Sequence, residues 1–144
     1  MHKALTYILW AARLIAAIIM LQTLYFKFLA QPESVYIFST LGIEPWGRIG
    51  SGIVELIASV LILMPRTSWI GAGLGLGVMA GAILSHLTVL GISVQGDGGY
   101  LFFLAIAVAV SCSTILLLTR KQWLPVLAQA IQSVFGKKIA HTNT

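Results

Sequence analysis

Four long apolar blocks, separated by short polar breaks, dominate this chain. They cover about 4–29, 46–64, 68–92 and 99–119. A helix needs roughly 20 residues to cross a hydrocarbon core of about 30 Å, so each block predicts a spanning helix. Pro65-Arg66-Thr67-Ser68 predicts a tight turn between the second and third, with Ser68 capping the third. Gln95-Gly96-Asp97-Gly98-Gly99 predicts another, with Asp97 as N-cap of the fourth helix; a ligand contact is its lesser alternative.

Two further stretches are not spans. The connection 30–45 is long but not polar. Pro32 suits a helix start, and Val35, Ile37, Phe38 and Leu41 supply a short apolar face closed by Gly42 and Pro45. That predicts a short helix at the membrane surface or folded over the bundle mouth. After Arg120, apolar Trp123, Leu127, Ile131, Val134 and Phe135 recur at helical spacing, with Gln122, Gln129, Gln132 and Ser133 between them and Pro125 in the first turn. This predicts an amphipathic interfacial helix in 121–144, with Lys137-Lys138 facing anionic lipid and a disordered end from His141. The expected fold is therefore all-α: an integral membrane four-helix bundle over 1–120, a short helix in its first outer loop, and a C-terminal interfacial helix.

Composition agrees. Of 144 residues, 58% are hydrophobic and 9% charged, against about 25% charged in ordinary globular domains. The net charge of +5 is no nucleic-acid footprint, because the basic residues sit at the ends of apolar runs. With four spans, both termini share a side with Lys3, Arg66, Arg120, Lys121, Lys137 and Lys138, while Lys27 and Arg48 lie opposite, near Glu33, Glu44 and Asp97. The positive-inside rule then puts both termini in the cytoplasm. Tyr7, Trp10, Trp69 and Trp123 mark one interface, and Tyr25, Tyr36, Trp46 and Tyr100 the other. Arg13 breaks any signal-peptide core, and Phe28-Leu29-Ala30 is a poor cleavage site, so the first helix reads as retained. The lone Cys112 allows no intrachain disulfide, and without a CxxC pair a membrane dithiol oxidoreductase is disfavoured.

The chemistry centres on Glu55, the one ionisable residue in Ile49–Met64. A charge at the middle of a spanning helix costs about 2.5–3.5 kcal/mol, so a partner is expected. Counting about 1.5 Å of rise per residue puts Lys27, Glu55 and His86 at overlapping depths in the outer half. They are expected to form one cluster, which Gln22, Thr23 and Ser59 could extend. Arg13 is two heptads before Lys27 on the same helix face; it reaches Glu55 only through tilt, and otherwise snorkels to the other interface. The cluster could be a substrate or proton site, or polar glue that pins helix register. His86 lacks a second deep histidine for a bis-His haem, since His2 and His141 are terminal, and zinc lacks ligands. In GAGLGLG no phosphate-loop register exists. Gly73, Gly77 and Gly81 instead predict a small-residue groove for close helix packing, preferably within the chain.

Taken together, Arg13 and Lys27 on the first helix, Phe38 and Leu41-Gly42 to Pro45 in the first loop, Glu55-Leu56-Ile57 and His86 resemble the DoxX family of small four-helix membrane proteins, over about 10–119. The chain departs from that pattern with Leu24 and Met64-Pro65 at family glycine positions, and with Asp97 and Tyr100 where a glutamate is common, which suggests a DoxX-like branch. The resemblance implies a bacterial inner-membrane protein. The family takes its name from a subunit of an archaeal thiosulfate:quinone oxidoreductase, and other members are associated with thiol and oxidative stress or partner redox proteins. The expected function is a redox-associated accessory subunit that binds a quinone or other lipid-like molecule through Lys27, Glu55 and His86. A non-catalytic assembly protein is the alternative, and a small-solute transporter ranks last because no inverted repeat is visible. No nucleophile with a paired base, metal-ligand spacing or phosphate loop points to an autonomous enzyme. Expected partners are membrane lipid, a redox protein and a second copy of the chain, with no nucleic acid.

Overall fold

Six helices carry nearly all of the described chain. The structure, a computed structural model, describes the backbone of residues 2–140 and the side chains of 3–134. In order, the helices are α1 (His2–Phe28), α2 (Pro32–Thr40), α3 (Trp46–Leu63), α4 (Ser68–Ser85), α5 (Tyr100–Leu118) and α6 (Arg120–Ala140). No strand occurs among the described residues. Four of the helices are long and apolar enough to cross a membrane: α1, α3, α5, and α4 with its extension to Leu90. Past Ser85 that helix widens into a π-helical turn, His86–Leu90, and stops at Gly91, whose φ of +78° suits a residue without Cβ.

The four long helices close into a ring. α1 packs on α3 and α5, and α4 packs on the same two. α2 sits at the end of the ring where α1 finishes, touching α1, α3 and the π-helical turn. Small side chains line the centre, with Ala16, Ala58, Ala72 and Cys112 fully buried beside Met20, Ile62, Val108 and Ile115. Large ones point away: Ile18, Val60, Leu84, Phe103 and Val110 are all more than half exposed. Small residues inside let backbones approach closely, and the outward residues make an apolar band far larger than an ordinary soluble surface carries.

The close-packing glycines are not the expected ones. A Cβ on Gly73, Gly77 or Gly81 would meet nothing within 4 Å. On Gly71 it would lie 2.6 Å from the Ala58 carbonyl oxygen and 2.7 Å from the Ile62 nitrogen; on Gly75, 3.0 Å from Cys112 Sγ. The intramolecular seam of α4 is therefore Gly71 and Gly75. Gly73 and Gly77 face outward, because two residues along a helix rotate a side chain by about 200°, and Gly81 borders a cavity between the helices.

The capping expectations also shift. The N-cap of α4 is Thr67, without a side-chain cap bond, and Ser68 Oγ contacts the Pro65 carbonyl instead. The N-cap of α5 is Gly99, in the left-handed region at φ +88°. Asp97 still serves that helix start from two residues earlier. Its Oδ1 accepts from the Val94 and Gly99 N–H groups and its Oδ2 from Leu101. The short helix after Pro32 forms as expected. α6 forms too, held at its start by the Trp123 indole N–H to the Leu116 carbonyl at 2.9 Å. Its apolar Leu124, Leu127, Ile131 and Val134 stay uncovered by the rest of the chain. The expectations for the side chains of Phe135, Lys137 and Lys138, and for residues 141–144, lie outside the described residues.

Candidate functional site

Glu55 sits on the inner face of α3, 1% exposed. The ring closes around it because Gly52, one turn earlier, lets α1 come near: a Cβ there would be 3.1 Å from the Phe28 ring. That brings Lys27 Nζ to 2.5 Å from Glu55 Oε1. Thr23, one turn back on α1, places its Oγ1 3.0 Å from Oε2 and 2.7 Å from the Met20 carbonyl, sharing its single proton between them. The carboxylate is thus met on both oxygens from one helix. Ser59, the other expected extension, bonds the Glu55 backbone carbonyl at 2.7 Å and not the carboxylate.

A second ion pair holds Lys27 in place, one that the sequence reading counted only toward orientation. Arg48, 7% exposed, bonds both Glu44 oxygens through Nε, at 2.8 and 3.0 Å, and its Nη1 donates to the Lys27 carbonyl. The end of α1, the loop before α3 and the first turn of α3 are tied together there. The spacing of Glu44 and Arg48, four residues apart at a helix start, was the available signal. The Lys27 ammonium also faces the Phe38 ring of α2, 5.9 Å from its centroid.

These groups form one wall of a cavity of about 790 Å³ between the four long helices and beneath α2 and the 91–99 connection. Phe26, Ile37, Val78, Ala82 and Leu104 are among its apolar walls. Lys27, Glu55 and His86 all line it, as does Gln22, an exposed residue that makes no bond to Glu55. The three titratable groups share the cavity without forming one hydrogen-bonded cluster. His86, 5% exposed, bonds through Nδ1 to the Gly91 carbonyl at 2.8 Å, and its ring meets Phe102 edge-on at 5.5 Å. A carbonyl only accepts, so Nδ1 carries the proton, and in the neutral ring Nε2 is left as an acceptor. His86 itself keeps the α-helical N–H bond to the Ala82 carbonyl; the π-helical turn that follows carries the chain to the Gly91 carbonyl the ring bonds, and such turns recur at functional sites.

Asp97 also lines the cavity. Burial works to raise its pKa. The N–H groups of Leu101, Gly99 and Val94 and the Ser93 hydroxyl outweigh that, and the carboxyl is held below its ordinary range. Glu33 of α2 adds another acidic group to the lining.

Arg13 is elsewhere. It is 3% exposed and donates from Nη2 to Ser68 Oγ at 3.1 Å, at the opposite end of the ring. The expectation that tilt brings it to Glu55 is corrected: Glu55 finds its partners within one turn of α1, and Arg13 lies some four turns before Lys27. Among the described residues no group of three His, Cys, Asp or Glu could hold a metal ion. Comparison with protein-family models, curated proteins and solved structures yielded no match.

Proposed function

We propose that this chain is a small integral membrane protein of DoxX-like type that binds a lipid-like molecule, a quinone being the leading candidate, in the cavity beneath α2. The supporting observation is the cavity itself. Its volume of about 790 Å³ falls within the roughly 300–1,000 Å³ of small-molecule sites. Its exposed wall area is mostly apolar, and polar and charged groups from α1, α2, α3, the π-helical turn and the 91–99 connection converge on it. A quinone carbonyl would accept from Lys27, whose ammonium has protons beyond the one given to Glu55, and a quinol hydroxyl would donate to His86 Nε2. The protein supplies binding and orientation, as a redox-associated accessory subunit and not an autonomous enzyme.

Insertion in the cytoplasmic membrane is the setting for this reading. It is supported by the four apolar helices and by the exposed apolar band around them. The excess of Lys and Arg on the side of the termini supports a topology with both in the cytoplasm, in which the cavity faces the opposite leaflet. The test is purification in mild detergent followed by mass spectrometry of extracted small molecules, with Ala82→Phe as the filled-cavity control. A quinone or lipid retained by the wild type and lost from the variant supports the proposal. A protein that is empty after purification, and stays empty when quinone is added, refutes it.

A second reading, a membrane assembly protein, is favoured by the exposed Gly73 and Gly77, where an added Cβ would meet nothing within 4 Å among the described residues. Gly77→Leu would then abolish co-purification of a partner while leaving the melting temperature intact.

A further inference from the structure

The end of the bundle away from the cavity holds a cation without a counter-ion among the described residues. Arg13 is 3% exposed, its Nη2 bonds a neutral serine hydroxyl, and its Nε is buried with no hydrogen-bond partner. No carboxylate side chain of this chain can serve it. The four acidic residues are Glu33, Glu44, Glu55 and Asp97. Glu33, Glu55 and Asp97 line the cavity at the other end, and Glu44 is held by Arg48. Removing a charge from water without a partner costs several kcal/mol. The local field makes an anion still more favourable. Ser68 is the first residue of α4, an 18-residue helix in which the Ile70 and Gly71 N–H groups both bond the Thr67 carbonyl, and a helix start carries a partial positive charge. Exposed Arg66, Arg120 and Lys121 stand at the same end, in the turn before α4 and at the start of α6.

We infer that Arg13 and the first turn of α4 form a phosphate-binding site filled from outside the chain, by the phosphodiester of an anionic phospholipid where lipid is present. The Trp10 ring lies against the guanidinium, 5.0 Å from its carbon to the ring centroid, and is 40% exposed. The ring stands between the guanidinium and the outside on that side. Ser68 Oγ, already oriented by Arg13, sits beside the anion. Only the lipid source of the phosphate rests on the membrane reading given above; the site itself does not.

The test is thermal unfolding of the full chain in a phosphate-free, uncharged maltoside detergent, with additions of phosphatidylglycerol, diacylglycerol or inorganic phosphate. Phosphatidylglycerol is expected to raise the melting temperature by several degrees, diacylglycerol to give no Arg13-dependent shift, and Arg13→Gln to abolish the response. Ser68→Ala, which keeps the buried cation, is expected to fold and respond weakly; it carries the test if Arg13→Gln does not fold. A shift with inorganic phosphate that needs Arg13 also supports the site and makes free phosphate its source. The inference is overturned if the wild type shifts with neither phosphate compound, as it would if the C-terminal carboxylate already paired Arg13. It is equally overturned if the variants that fold respond as strongly as the wild type, or if diacylglycerol matches phosphatidylglycerol. These variants lie away from the cavity, so a negative result here leaves the quinone proposal to its own mass-spectrometric test.

Discussion

Lys27 and Glu55 join α1 to α3 through a 2.5 Å contact between Nζ and Oε1, with the Glu55 side chain 2% exposed and the Lys27 side chain 15%. The asymmetry matters. Glu55 is enclosed, while Lys27 keeps an open edge toward the cavity. The pair can therefore hold the helices together and still offer a donor to a bound molecule.

Removing one partner leaves the other charge buried alone. Glu55→Gln is expected to lower unfolding stability by about 3 kcal/mol, at the lower end for a broken buried pair because Lys27 is not fully enclosed. The double variant Lys27→Met/Glu55→Leu is expected to recover most of that loss, since it leaves neither charge behind. Thermal unfolding in detergent measures both. A double variant less stable than Glu55→Gln would show that the pair is worth more than the burial of its charges costs.

The two glycine stripes of α4 should respond oppositely. Gly71→Ala forces a methyl to 2.6 Å from the Ala58 carbonyl oxygen and is expected to cost about 1–3 kcal/mol, as overpacking does. Gly73→Ala and Gly77→Ala meet open space and are expected to be neutral or to stabilise by about 0.5–1 kcal/mol through helix propensity. Melting temperatures of the single variants decide, and equal losses at Gly71 and Gly73 would contradict the seam described above.

Asp97 sets an acid limit for the 91–99 connection. Its folded pKa lies below the unfolded one, so its contribution is complete above about pH 4, the unfolded value. The contribution disappears as pH falls through the folded pKa. The stability difference between wild type and Asp97→Ala is expected to be constant from pH 7 to about pH 5 and to shrink at more acid pH. Melts across that range read it directly; a difference that grows on acidification would give the wrong sign.

Filling the cavity separates binding from folding. Ala82 lies on the cavity wall, and Ala82→Phe projects a ring into existing space. Retention of the lipid-like molecule is expected to fall at least about tenfold, or ~1.4 kcal/mol of affinity, with little change in melting temperature. Quantitative mass spectrometry of the extracted ligand, normalised to protein, provides the check.

The helices are legible in the residue pattern alone. Lengths of apolar run gave four helices to within a few residues, Pro32 marked α2, and the change of pattern at Arg120 marked α6. These are local properties, set by propensity, proline and the length of each apolar block. It also paired Lys27 with Glu55, because so few charges lie in these blocks that little else could answer a buried carboxylate. The remaining features arise from how the helices pack. A uniformly apolar helix such as α4 carries no polar face to show which side turns inward, so nothing local distinguishes Gly71 and Gly75 from Gly73 and Gly77. Depth counting fixes position along an axis but not rotation about it, so it grouped His86 with Glu55, whereas the π-helical turn commits the His86 Nδ1 to Gly91. Arg13 and Lys27 share a face of α1, yet axial distance takes one to Ser68 and the other to Glu55. Those outcomes depend on how four nearly featureless cylinders meet, and backbone contact between small residues settles that.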